Sequence, residues 1–186
     1  VGHPAHCYVT GDYVIVSNSG KSELGLIEVV MLATGVYPDR LAHLAHQKFR
    51  GPVNCRIIVQ SLTTTLHNVI LPKLQFWKWS GVDQPGGERG HWGWIPRSSL
   101  KGGSWEKSWS EGLRTLTVLC RDPDEPERVV GESIVQFMSH DQESRDAAAG
   151  DFHIILHDEP PRLAMWRESQ ARTMRVAGRL LVAMTW

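Results

Sequence analysis

The sequence predicts an all-β fold, a single sandwich or barrel, on three observations. Short runs rich in β-branched and aromatic residues recur along most of the chain, divided by clusters of Gly, Pro, Asn and Asp. Two runs alternate at period two: Val53, Cys55, Ile57 and Val59 against Asn54, Arg56 and Gln60, and Leu116, Val118 and Cys120 against Thr115, Thr117 and Leu119. Ahead of the last 25 residues, a single stretch has helical spacing, and 186 residues suit one core.

Taken in order, Cys7 to Ser17 reads as a strand with a bulge at Gly11-Asp12, and Asn18-Ser19-Gly20-Lys21 as a turn. Leu24 to Ala33 is short and β-branched, which predicts a second strand. Tyr37-Pro38-Asp39-Arg40 opens a helix carrying Leu41, Leu44, Ala45 and Phe49, with Pro38 suited to its first turn. After Gly51-Pro52 comes the central strand, with Val53, Cys55, Ile57 and Val59 facing inward. Asn68 to Trp79 predicts another strand, placed near an edge by Pro72. Ser80 to Ser104 is Gly-, Pro- and Ser-rich, a long loop with one short strand at His91–Ile95. Leu113 to Arg121, Ser133 to Met138 and Phe152 to His157 complete seven or eight strands, with an exposed charged turn from Arg121 to Arg128.

Net charge is zero and the pI about 7.3, which argues against a uniformly basic nucleic-acid surface. Cys7, Cys55 and Cys120 lie in apolar, strand-like contexts and read as buried thiols of a reducing compartment. No stretch approaches the roughly 18–20 apolar residues of a membrane span. The first residue is Val1 rather than Met, which fits either a chosen expression boundary or a proteolytic cut from a longer precursor.

Sequence motifs for chemistry are sparse. Gly20-Lys21-Ser22 resembles the end of a phosphate-binding loop, but the motif's first glycine, five positions earlier, is Ile15, and nucleotide binding is rejected on that ground. His43 with His46, and His153 with His157, have spacings too weak for a metal site. No nucleophile-elbow or Cys-His-Asn context appears. No catalytic residue, metal ligand or cofactor is expected.

Six of the eight tryptophans fall within a 33-residue window. Trp77 and Trp79 share a strand face, as do Trp92 and Trp94, and these four are interface candidates. The last segment, Arg162 to Trp186, has five arginines against Glu168 alone and reads as a basic C-terminal arm, 162–186, after a domain spanning 1–161. Arg172, Arg175 and Arg179 are its RNA-binding candidates.

Lys48-Phe49-Arg50-Gly51-Pro52 leading into Val53–Ile57, after two strands and a helix, resembles the approach to the fourth strand of picorna-like jelly-roll coat proteins. Ser104–Trp109 followed by Leu113–Cys120, then Ser133–Met138, are similar to later segments of the small coat protein of comoviruses and fabaviruses, and Gly150-Asp151-Phe152 with Pro160-Pro161 resembles the closing segment of many picorna-like capsid proteins. The resemblance covers most of residues 6–161. It implies an eight-stranded jelly roll with one short helix between its second and third strands, and a structural role without catalysis. The implied partners are a large coat protein, copies of the chain around a five-fold axis, and viral genomic RNA in an icosahedral (pseudo T=3) shell, with no membrane. The implied locations are the virion and the host cytoplasm. Two alternatives stand beside it: a carbohydrate-binding β-sandwich using Trp77, Trp79, Trp92 and Trp94, and a cupin-like metal enzyme, for which no HxH with a partner ligand is found.

Overall fold

Leu24 to Ala33 is helical, and that single change reorganises the expected architecture. The computed structural model describes residues 8–10, 13–15, 20–46, 49–77, 91–142 and 150–184. A hairpin of β1 (Tyr8–Thr10) and β2 (Tyr13–Ile15) precedes α1 (Lys21–Thr34). A 3-10 helix, Asp39–His46, leads to β3 (Asn54–Val59). A π-helix, Leu62–Ile70, runs into α2 (Leu71–Gln75) and then β4 (Phe76–Trp77), which pairs with β5 (His91–Trp92). Next come α3 (Trp105–Ser108), β6 (Trp109–Ser110), β7 (Thr115–Arg121), β8 (Val129–Ser139) and β9 (Ile154–His157). The chain closes with α4 (Leu163–Met174) and β10 (Arg179–Val182).

Six strands form one mixed sheet in the order β10-β9-β3-β8-β7-β6. β10, β9, β3 and β8 are parallel, whereas β7 and β6 are antiparallel. The fold is therefore mixed α/β, which overturns the all-β jelly roll. The parallel strands need crossovers, and the π-helix with α2, and then α4, belong to the connections that supply them. Pro72, which predicts a strand edge, lies instead just past the point where the π-helix passes into α2, inside one continuous helical run. Nor is the C-terminus an arm. Met165, Ser169 and Thr173 of α4 are buried, and β10 pairs with β9 from Arg179↔Ile154 to Val182↔His157.

One face of the sheet carries the main core. Cys55, Ile57, Val59, Val135, Phe137, Ile154 and Leu156 pack there under Leu26, Val29, Val30 and Ala33 of α1 and Leu66, Ile70 and Leu74 of the next helical segment. Gly25 lets α1 lie close to β9, since a Cβ there would stand 2.6 Å from Leu156 Cδ1. Gly35 ends α1 in the left-handed region (φ 67), its N–H donating to Met31 O at 2.9 Å. The opposite face holds a smaller cluster of Ile58, Met138, Phe152, Ile155 and Met165 beneath α4. Arg56, expected on the open side of a half-buried strand, is fully buried there, because β3 is covered on both faces.

Candidate functional site

Parallel strands aim their C-terminal ends at one edge of the sheet, and in open α/β sheets that edge is where ligands bind. Here β3 ends at Val59, β8 at Ser139 and β9 at His157, followed by Ser61, His140, Asp158 and Glu159. Hydrogen bonds hold the edge in register. Asp158 N–H donates to Ile58 O at 2.9 Å, His140 N–H to Val59 O at 2.9 Å, and Ala183 N–H to His157 O at 2.8 Å.

α1 runs antiparallel to these strands. Its C-terminal Gly35 abuts the backbone of Arg121, which pairs with Val129 at the start of β8, while Gly25 abuts Leu156 near the end of β9. The first turn, with Gly20, Lys21 and Ser22, thus points to the edge that bears Asp158 and Glu159. Gly20 occupies the N-cap position and has no side chain to satisfy the first-turn N–H groups. Those groups and the helix dipole favour an anion.

Asp158 is half-buried, and its Oδ1, shielded from solvent, accepts no hydrogen bond from the described residues. A buried carboxylate oxygen in that state calls for a cation or a donor. Glu159 is exposed beside it. Among the described residues no group of three or more His, Cys, Asp or Glu is placed to hold a metal ion by itself. Magnesium needs no such cage, since it binds through one or two protein oxygens together with substrate phosphates and water. The unpartnered Asp158 Oδ1 offers one such oxygen.

Behind the edge, on the α4 side, lies a buried polar set. His157 is fully buried, its Nε2 3.1 Å from Ser169 Oγ, its ring stacked on His140 with centroids 5.4 Å apart. Burial, and then the proximity of His140 and Arg56, pushes the His157 pKa down to about 3, so the ring is neutral. Burial also lowers the His140 pKa, against the opposing pull of Glu159 and Asp158. Arg56 donates from Nε and Nη2 to Gln136 Oε1 at 2.9 and 2.7 Å and lies 3.9 Å over the Phe152 ring. Burial lowers its pKa to about 10, with Arg172 adding to the shift, so it stays charged near neutrality.

The residues singled out from sequence are dispersed. Arg172 pairs with Glu168 at 2.6 Å, Arg175 with Asp151 at 3.2 Å and Arg179 with Glu28 at 3.0 Å, so each arginine of the RNA trio faces a carboxylate. They come from α4, its C-cap and β10, elements of the folded sheet. Trp92 donates from Nε1 to Ile95 O at 2.7 Å, with the Arg97 guanidinium 5.7 Å above its ring, and Trp94 packs on the main core. Trp77 is described only as a strand residue paired with His91, and Trp79 lies outside the described residues, as does Cys7. Trp105 and Trp109 stack on each other at 6.2 Å and pack on the core. Cys55 and Cys120 are buried free thiols, as expected. His43 and His46 fall on the 3-10 helix, away from His157 in sequence and element.

The Asp158-Glu159 pair went unnoticed in the sequence, although Ile154-Ile155-Leu156-His157 followed by two acids was a legible signal: an apolar strand delivering carboxylates to its C-terminal end. No family model, curated protein or solved structure matches the chain. Among the described residues, no helix is long and apolar enough to cross a membrane.

Proposed function

We propose that this chain binds a nucleoside triphosphate with magnesium at the C-terminal edge of the sheet and transfers its terminal phosphoryl group to water. The observation that carries this reading is the close approach of Gly25 of α1 to Leu156 of β9, which turns the first residues of the helix, Gly20-Lys21-Ser22, toward the edge of the sheet where Asp158-Glu159 follow β9. Phosphoryl transfer is catalysed mainly by positioning and charge, and this set has the needed parts. The first-turn N–H groups and the Lys21 ammonium neutralise the β- and γ-phosphate oxygens. The Ser22 hydroxyl and the Asp158 carboxylate would hold a magnesium ion, which would offset the charge of the phosphates. Glu159, exposed and next in the chain, orients the attacking water and takes its proton.

The consensus glycine five positions before Gly20 is still Ile15, the last residue of β2, so Gly20-Lys21-Ser22 carries the match. β2 pairs with β1 in a two-stranded hairpin outside the six-stranded sheet, so the match rests on the first turn of α1 alone. The shell-subunit reading drew on an eight-stranded jelly roll, and the mixed sheet removes that premise.

Titration with mant-ATP in the presence of Mg2+, followed by fluorescence, tests the proposal. Binding is expected for the native chain and its loss for Lys21→Ala. Glu159→Gln should retain binding while phosphate release from ATP falls by about 10²–10⁴-fold. No binding by the native chain, or equal binding by Lys21→Ala, would overturn the assignment.

A further inference from the structure

The segment Asp158-Glu159-Pro160-Pro161-Arg162 joins β9 to α4 and carries both carboxylates of the proposed site. Its two flanks are tied together by a side-chain bond. His157, the residue before it, meets Ser169 of α4 at 3.1 Å, and both side chains are fully buried. Pro160 and Pro161 restrict the backbone between these anchors. We propose that the His157–Ser169 pair, backed by the stacked His140 ring, is a positioning clamp that fixes the segment bearing Asp158 for Mg2+ and Glu159 for the attacking water; the inference rests on the nucleotide reading above.

The residue types support this. His157 is fully buried, pairs across the sheet with Ile58 and has the Trp166 ring 6.2 Å away, and an aliphatic side chain there would avoid desolvating an imidazole. The imidazole costs more than its one bond returns, because Nδ1 is buried without a partner among the described residues. Folding alone therefore gives little reason for a histidine. Directionality does, since a hydrogen bond between a fixed strand end and a fixed helix face sets the height of α4 above β9 in a way that apolar contact cannot. His140 closes the other side of the ring and is itself fixed through its backbone bond to Val59 O at 2.9 Å. His140 is also close enough to Asp158 and Glu159 to feel their charge. The far end of α4 is held independently, by Phe152 N–H on Arg172 O at 2.9 Å and Gly178 N–H on Thr173 O at 2.8 Å. Removing the Ser169 hydroxyl should loosen the near end alone.

The test uses Ser169→Ala and the conservative Ser169→Thr, with mant-ATP fluorescence followed as Mg2+ is raised. Ser169→Ala is expected to need about ten-fold more Mg2+ for half-saturation, with mant-ATP binding in EDTA unchanged, and Ser169→Thr to restore the native Mg2+ dependence. A folded Ser169→Ala protein, by circular dichroism, with native Mg2+ dependence overturns the clamp and leaves the nucleotide reading standing. Equal weakening with and without Mg2+ also overturns it, as a general loss of structure. Absence of mant-ATP binding by the native protein would instead remove the nucleotide reading and the clamp together.

Discussion

The two faces of the sheet are buried to similar completeness but by different chemistry. Under α1 the contacts are aliphatic and aromatic, with Leu26, Ile57, Phe137 and Leu156 all at most 2% exposed. Under α4 the buried set mixes Ile58 and Ile155 with Arg56, His157, Ser169 and Thr173. Apolar burial is non-directional and supplies stability, whereas buried hydrogen bonds contribute little net energy but fix orientation. The apolar face thus seats α1, and the polar face sets the segment that carries Asp158 and Glu159.

That contrast breaks most readily on the apolar side. Phe137→Ala should cost about 3–5 kcal/mol in urea unfolding, through lost burial and a cavity beneath Trp109, whose ring lies 5.5 Å away. A loss below about 1 kcal/mol would show that this face is not the principal core.

Acid should act on the polar side. His157 is held neutral when folded, with a pKa near 3 against about 6.5 unfolded, so its stabilising contribution is complete above about pH 6.5. As pH falls from there toward 3 the unfolded chain takes up the proton first, and stability drops by up to about 1.4 kcal/mol per pH unit from this group. His140 and His153, lowered mainly by burial, shift it in the same direction. Urea midpoints between pH 7 and 5 should fall, and His157→Gln should flatten the slope. A slope unchanged by that substitution would contradict the neutral, buried ring.

A smaller effect separates bond energy from the cost of an abandoned partner. Arg56→Met should cost about 1–3 kcal/mol because Gln136 loses its donors, while Arg56→Met with Gln136→Leu should recover most of it. No recovery in the double variant would place the value of Arg56 in its contact with Phe152 instead. Smallest of all, Arg175→Gln should change stability by about 0–1 kcal/mol, since its pair with Asp151 has a guanidinium 80% exposed.

β7 was legible because its alternation survives in the structure: Leu116, Val118 and Cys120 are buried while Thr115, Thr117 and Leu119 are partly exposed. β8 and β9 were legible as extended runs, and β3 as a strand. α1 was not, because Leu24 to Ala33 is a dense apolar run, and periodicity alone cannot separate a buried helix from a buried strand. The strand expected over Asn68 to Trp79 is helical as far as Gln75, because packing Ile70, Leu71 and Leu74 on the core outweighs the strand-edge signal of Pro72. Arg162 onward looked like an arm because its charge was read without its partners, which are Glu28, Asp151 and Glu168, two of them far away in sequence.

The sequence by itself determined the local facts: where period-two strands lie, that Cys55 and Cys120 are buried, and that Gly20-Lys21-Ser22 and Asp158-Glu159 exist. Tertiary structure alone decided that β3, β8 and β9 are parallel, that Arg56 is covered on its second face, and that α1 aims its first turn at the end of β9. The physical reason is range. Backbone preference and patterning act over a few residues, while the packing of α1 across β9 joins Gly25 to Leu156 from 131 positions apart.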